Sequence, residues 1–144
     1  MNVPLEDFCN LPWHDADIHR FTVNYSERET TYSEQGIQSV QIPVEINPYE
    51  DLSAFKKLGL SSARVTITFT KCWMIETRIV ACNANGESIS TVDLLAESEL
   101  LTKLRSWPSG SPRMQHVQIS GSGGSVLDIV AECVAVDETE TPVR

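Results

Sequence analysis

Long apolar runs are missing from this sequence of 144 residues. No stretch approaches the roughly 18 consecutive apolar residues that a membrane-spanning helix needs. Residues 1–7 also lack the basic and apolar regions of a signal peptide. We therefore expect a cytoplasmic protein that does not contact the membrane.

Cysteine is scarce. The four cysteines are Cys9, Cys72, Cys82 and Cys133, and no two of them form a CxxC pair. In a reducing compartment we expect free, mostly buried thiols. Cys72 is the candidate if a cysteine acts as a nucleophile, with His14 or His116 as its base, but packing is the favoured interpretation.

Basic residues are outnumbered by acidic ones, 11 against 20, which gives a formal net charge of −9. This charge repels nucleic-acid phosphates and anionic membranes, so neither is expected as a partner. It suits a basic protein partner instead. The candidate contacts are Glu27, Glu29 and Glu34, which lie in a polar connection over residues 26–36.

Known nucleophile motifs such as GxSxG are also missing, and the densest group of chemically active side chains lies in residues 11–19. The candidate site residues there are Trp13, His14, Asp15, Asp17 and His19. If the segment is extended, Asp15, Asp17 and His19 share one side. Imidazole and carboxylate groups are metal ligands, so a metal-binding protein or small metal-dependent enzyme that uses His14, Asp15, Asp17 and His19 is one hypothesis.

A structural role for the same motif is the favoured interpretation. Trp13 would be buried in the core, and His14 and Asp15 would satisfy backbone groups at the entry to the first strand. No other segment supplies a further ligand at a suitable spacing, so we expect no cofactor. This interpretation predicts that His14→Ala lowers stability more than it alters function.

Alternation of apolar and polar residues recurs along the chain with the period of a strand. It predicts strands over residues 18–25, 37–46, 63–70, 73–81, 88–92, 116–120 and 126–136. Short helices are predicted over 47–58 and 97–105. The fold class is mainly β: an antiparallel β-sandwich or curled barrel of about seven strands with two short helices. The chain forms a single domain, 1–144, whose acidic tail frays from about residue 137.

Local signals refine these elements. Asn47 is predicted as the N-cap of the first helix, with Tyr49 and Phe55 on its packed face, and Ser98 caps the second helix. The strands 63–70 and 73–81 are predicted to form an antiparallel pair, because the link between them is short.

Proline and glycine mark further features. Pro43 indicates an edge strand or a bulge in the strand 37–46. The sequences 83–86 and 121–124 indicate turns, and the glycines of the second turn suit a tight hairpin.

Three segments give the chain a family resemblance: Leu11–Ala16 (LPWHDA), Phe69–Trp73 (FTKCW) and Ser125–Ala131 (SVLDIVA). Together they resemble small bacterial β-rich proteins of uncharacterised families, some of which sit beside polymorphic toxins and are regarded as immunity-like. The resemblance implies a compact β domain that works by binding, without a cofactor.

The leading hypothesis is therefore a non-enzymatic protein-binding domain, an immunity-type inhibitor of a basic effector. The metal hypothesis stays open as the first alternative. A β-barrel that binds a small apolar ligand in an internal cavity is the second.

Overall fold

The computed structural model describes residues 1–18, 20–25, 37–49, 52–80, 87–107 and 113–139. The described residues form eight strands and three short helices. The strands are β1 (Asn2–Val3), β2 (Asp17–Ile18), β3 (Thr22–Tyr25), β4 (Ile37–Glu45), β5 (Arg64–Arg78), β6 (Glu87–Leu95), β7 (Gln115–Gly121) and β8 (Val126–Glu138). The helices are α1 (Leu5–Cys9), α2 (Ser53–Lys56) and α3 (Glu99–Arg105).

Six strands close into an antiparallel barrel in the order β2, β4, β5, β8, β7, β6 and back to β2. The other two strands extend the sheet: β1 pairs with the end of β8, and β3 pairs with β4. The predicted mainly-β class is therefore confirmed, in its barrel form. The predicted strand over 18–25 is two strands, β2 and β3, and β1 and α1 have no counterpart in the sequence prediction.

The barrel interior is filled by apolar side chains. On β4, Val40, Ile42 and Val44 are buried, as the alternation predicts. An aromatic cluster adds to this core: the ring of Phe8 on α1 lies 5.2 Å from Trp13 and 5.5 Å from Phe69, between centroids. These rings fix α1 and the motif that follows it against the barrel.

The prediction of two strands over 63–70 and 73–81 is wrong. Residues 64–78 form the single long strand β5, which pairs with β8 almost throughout. The link that resembles a turn is a β-bulge between Cys72 and Met74, next to Lys71 at a positive φ of 51°. A bulge bends and twists a strand without reversing it.

The predicted helix over 47–58 is shorter, with α2 limited to Ser53–Lys56. The Asn47 side chain accepts a hydrogen bond from the Tyr49 backbone N–H at 3.1 Å, a local turn that competes with helix formation. Tyr49 is 95% exposed, so its predicted place on the packed face is also wrong, whereas Phe55 is buried.

Several local predictions are confirmed. The Ser98 side chain caps α3 by accepting from the Leu101 N–H, and the turn at 121–124 joins β7 to β8, with Gly124 at a φ of +100°. The edge strand or bulge indicated by Pro43 is wrong: β4 lies between β5 and the strands β2 and β3, and its register with β5 is unbroken at Pro43, opposite Thr66. Pro43 lies between the part of β4 that pairs with β3 and the part that pairs with β2, where a missing N–H is tolerated.

The described part of the acidic tail continues the sheet: β8 extends to Glu138, and the Thr139 N–H donates to the Arg64 carbonyl. The expected fraying of the tail from about residue 137 stays a prediction. The connection over 26–36, with Glu27, Glu29 and Glu34, and the turn at 83–86 lie outside the described residues.

Candidate functional site

The N-terminal motif forms a tight turn that leads into β2. The Ala16 N–H donates to the Trp13 carbonyl at 2.9 Å, and Asp15 adopts a positive φ of 61°. The Asp15 N–H and the Ala16 carbonyl both bond to Ile89 of β6. Trp13 is buried against Phe8, and its indole N–H donates to the Phe8 carbonyl at 2.8 Å.

The candidate metal ligands of this motif point into different surroundings. His14 and Asp15 are exposed and 3.2 Å apart through Nδ1 and Oδ2, and the Asp17 carboxylate accepts from the Ser88 hydroxyl at 3.0 Å. His19 lies outside the described residues. Within the described part of the chain, no three His, Cys, Asp or Glu side chains form a group that could hold a metal ion.

Cys72 does not have the environment of a nucleophile. The pKa of the Cys72 thiol is raised to about 12, mainly by burial and to a smaller extent by the neighbouring Cys133. The Cys72 thiol also donates a hydrogen bond to the Phe69 carbonyl. Burial also raises the pKa of Cys9 to about 11. Cys72 packs against the barrel core, whereas both ring nitrogens of His116 bond to other side chains.

His116 is the centre of a polar chain that the sequence analysis did not identify. His116 is 4% exposed, its Nδ1 lies 2.8 Å from the Ser98 hydroxyl, and its Nε2 lies 2.7 Å from the Asp128 carboxylate. Asp128 also accepts from the Gln118 amide at 3.0 Å. Because a carboxylate only accepts, Nε2 donates its proton to Asp128.

Ser98, His116 and Asp128 are the residue types of a serine-hydrolase triad, but their arrangement is different. In the hydrolase template the serine bonds to Nε2 and the aspartate to Nδ1, whereas here the two contacts are reversed. The Ser98 hydroxyl also accepts from the Leu101 N–H at 3.1 Å. The hydrogen bonds from Ser98 through His116 to Asp128 therefore connect the start of α3 to β7 and β8, and they hold Asp128 in one orientation.

Asp128 belongs to a row of polar side chains that crosses four adjacent strands, which we call the carboxylate row. Strand register places Asp93 of β6 opposite Gln118 of β7, Gln118 opposite Asp128 of β8, and Asp128 opposite Glu76 of β5. The side chains next to these in sequence face the barrel core, so the row faces outward.

An open depression of about 520 Å³ lies on this outer face. It is lined by Glu76, Thr77, Arg78, Gln118, Val126 and Asp128. Glu76 and Asp93 are exposed, and no ion pair neutralises them within the described ranges. The depression is therefore a polar surface outside the barrel, distinct in character from the apolar internal cavity of the small-ligand hypothesis.

Sequence reasoning could not find the carboxylate row, because its four members come from four strands and are adjacent only through the strand register. The only signal in the sequence is an acidic residue in each of β5, β6 and β8 at an outward position of the alternation.

Comparison of the sequence with known protein families finds no family that matches, and no curated protein matches it either. No helix among the residues described by the structure is long and apolar enough to cross a membrane.

Proposed function

We propose that this chain is a protein-binding domain that recognises a basic partner through the outer face of β5, β8, β7 and β6. The observation that carries the proposal is the carboxylate row, which brings Asp93, Asp128 and Glu76 into line on one solvent-facing surface. The formal net charge of −9 supports it, because a negative protein attracts a basic surface from a distance.

The row is unfavourable for the isolated domain. Glu76 and Asp128 are directly opposite each other on neighbouring strands, and like charges in that position destabilise a sheet. The His116 ring and the Gln118 amide both donate to Asp128, which fixes its carboxylate next to Glu76. An arginine guanidinium between the two carboxylates would remove the repulsion and form charge-assisted hydrogen bonds.

The biological role that we propose for this binding is immunity-type inhibition, in which the domain covers the functional surface of a basic effector. The charge of the row and the resemblance to immunity-like β proteins support this role. Such a partner would associate rapidly at low salt and more slowly as salt screens the two surfaces.

The first test is a titration with an arginine-rich peptide at several salt concentrations, with fluorescence anisotropy as the measure of binding. We expect binding that weakens as salt rises, and a loss of about fivefold in affinity for the double variant Asp93→Asn, Glu76→Gln, because two exposed charge contacts are lost. The matched control is Glu45→Gln with Glu99→Gln, which removes the same charge from exposed positions elsewhere.

Equal losses in the two double variants would show that the carboxylate row is not the binding surface, and absence of binding at low salt would contradict the basic partner. The inhibitor role has its own test. The products of genes adjacent to the coding gene are produced with and without this protein, and growth inhibition by one of them should disappear when the protein is present.

A further inference from the structure

The depression on the outer face has a positive charge beside its two carboxylates. Glu76 and Asp128 lie opposite each other on β5 and β8, and Arg78 lies two residues farther along β5. Residues two apart on a strand point to the same face and are separated by about 7 Å. All three side chains line the depression, and Glu76 and Arg78 are exposed. One ligand can therefore contact two carboxylates and a guanidinium there.

Asp128 is oriented for such a ligand by the residues behind it. The His116 ring donates to Oδ1 of Asp128 at 2.7 Å, and the Gln118 amide donates to the same oxygen at 3.0 Å. The other oxygen, Oδ2, is therefore the one that a donor in the depression would meet. A guanidinium is a planar fork of five N–H donors, so it can bond to Asp128 Oδ2 and to the Glu76 carboxylate together.

Arg78 determines what else the ligand must carry. Side chains stand roughly perpendicular to a sheet, and the side chain of Arg78 is longer than those of Glu76 and Asp128. Its guanidinium can thus reach the level at which the backbone of a bound arginine lies, when that arginine points its own guanidinium at the two carboxylates. At that level Arg78 repels a positive group and attracts a negative one. The α-carboxylate of a C-terminal residue is a negative group in this position.

We infer that the depression binds the C-terminal arginine of a basic polypeptide. The guanidinium of this arginine lies between Glu76 and Asp128, and its α-carboxylate pairs with Arg78. Pairs between arginine and a carboxylate are frequently bidentate, so the two contacts fix the terminal residue at both ends. The inference rests on the proposed function, and it specifies which part of the basic partner enters the depression. An arginine within a chain has no α-carboxylate and loses the contact with Arg78.

The rest of the carboxylate row favours a polypeptide end over free arginine. Gln118 separates Asp128 from Asp93 in the row, so these two carboxylates are two strand spacings apart, about 10 Å. In an extended peptide, residues two apart face the same side at a separation of about 7 Å. A lysine two positions before the terminal arginine can therefore reach Asp93 with its long side chain. Free arginine has no group that makes this contact.

Two peptides that differ only at the C-terminus test the inference. Each is labelled with a fluorophore at its N-terminus and ends in lysine, glycine and arginine. One has a free α-carboxylate, and the other has a C-terminal amide. Fluorescence anisotropy at low salt should show that the free acid binds about fivefold more tightly, through its pair with Arg78. Net charge alone predicts the opposite order, because the amide is the more positive peptide and the protein has a formal net charge of −9.

Substitutions of Arg78 test whether this residue binds the α-carboxylate. Arg78→Gln should remove the preference for the free acid, and Arg78→Glu should reverse it, because a carboxylate at this position repels the α-carboxylate. Arg64→Gln is the matched control, since it removes the same charge from an exposed position at the other end of β5 and should keep the preference. Thermal unfolding of the three variants verifies that each is folded.

The outcomes separate this inference from the proposed function. Equal binding of the two peptides to the unmodified protein overturns the inference and leaves recognition of a basic peptide intact. A preference for the free acid that survives in Arg78→Gln overturns it as well. Failure of both peptides to bind at low salt contradicts the proposed function itself, and the inference with it.

Competition by free arginine tests the choice of a polypeptide end. Free arginine should displace the labelled free-acid peptide only at concentrations at least about fivefold above those of the unlabelled peptide, because it lacks the contact with Asp93. Equal competition would overturn the inference, since the depression would then recognise the amino acid alone.

Discussion

Trp13 anchors the N-terminal motif to the barrel. Its ring lies 5.0 Å from Phe55 and 5.2 Å from Phe8, between centroids, and its N–H is satisfied by a backbone carbonyl. Its burial could be predicted because a tryptophan precedes a strand in an otherwise polar segment. The roles of its neighbours could not, because His14 and Asp15 are placed by a turn that depends on Ile89 of a distant strand.

Trp13→Ala should lower the free energy of unfolding by about 3–5 kcal/mol, because it removes a large buried ring from the centre of the aromatic cluster. His14→Ala should change it by less than about 0.5 kcal/mol, because the His14 ring is 63% exposed. Urea unfolding of both variants measures the difference. Similar losses in the two variants would contradict the structural account and favour the earlier expectation that His14 stabilises the fold.

Glu87 shows a residue role that no sequence pattern indicated. Hydrogen bonds from the Ser125 side chain and from the N–H groups of Ser125 and Gly123 hold the pKa of the Glu87 carboxyl below its usual value. The carboxylate thereby joins the start of β6 to the turn between β7 and β8. Gly121 leaves the space for it, since a Cβ atom there would overlap the Glu87 side chain.

Glu87→Gln should destabilise the domain at neutral pH by about 1 kcal/mol, the usual size for a partly exposed charged hydrogen bond. Because the pKa is lowered by folding, the wild-type advantage is complete above the usual carboxyl pKa of glutamate and disappears as pH falls through the folded value. Thermal unfolding between pH 7 and pH 3 measures it. A difference between wild type and variant that stays constant over this range would show that ionisation of Glu87 does not contribute.

Elements with purely local signals could be predicted. β4 follows from the regular alternation of apolar residues, and α3 follows from its Ser98 cap and its leucines. β5 and α2 could not, since each depends on competition between a local signal and distant contacts. Pairing with β8 keeps β5 extended through a segment that resembles a turn, and the Asn47 side chain stabilises a turn where a helix was expected.

Ser98 stabilises α3 in two ways, and its removal should cost more than an ordinary helix cap. Ser98→Ala loses the cap, which is worth about 1 kcal/mol, and leaves the buried Nδ1 of His116 without its partner. We expect Ser98→Ala to lower the free energy of unfolding by about 2–3 kcal/mol in total, as measured by chemical unfolding. Ser98→Thr keeps the hydroxyl and should restore most of it.

A double-mutant cycle with His116→Phe separates the two contributions. The losses from Ser98→Ala and His116→Phe should be strongly non-additive, because both variants remove the same hydrogen bond. Additive losses would show that the hydrogen bond between the two side chains contributes nothing beyond the cap.

At the scale of the whole molecule, the sequence predicted the β class but left barrel and sandwich open, because closure depends on pairings between distant strands. The carboxylate row could not be predicted from the sequence for the same reason. Asp93 and Gln118 are neighbours only because β6 and β7, which α3 separates in the sequence, pair with each other. Gln118 and Asp128 are neighbours only because of the register of the hairpin between β7 and β8. A shift of one residue in either register would turn these side chains to the other face.

The short strand β1 protects part of the β8 edge against pairing with another strand. It covers β8 beyond the point where β7 ends, with Asn2 opposite Ala135 and Val3 opposite Val134, and the Met1 amino group contacts Asp137 and the Val136 carbonyl. Deletion of residues 1–3 should lower stability by about 2 kcal/mol, mainly through the buried Val3 side chain.

The same deletion should also increase aggregation on heating, because it uncovers an apolar strand edge. Light scattering during thermal unfolding measures this, with Val3→Ala as the control that keeps the backbone pairing. Equal aggregation of the deletion and Val3→Ala would show that the exposed β8 edge is not responsible.

Among the residues that the structure describes, β4 and β6 are joined only through the two-residue strand β2, which closes the barrel there. A seam with so few backbone hydrogen bonds is where the structure should open first in local fluctuations. Amide protons of Ile18 and its neighbours on β6 should therefore exchange with solvent far sooner than those in the middle of β5 and β8. In such fluctuations the barrel would open at β2 into an unrolled sheet and close again, while its long strands stay paired.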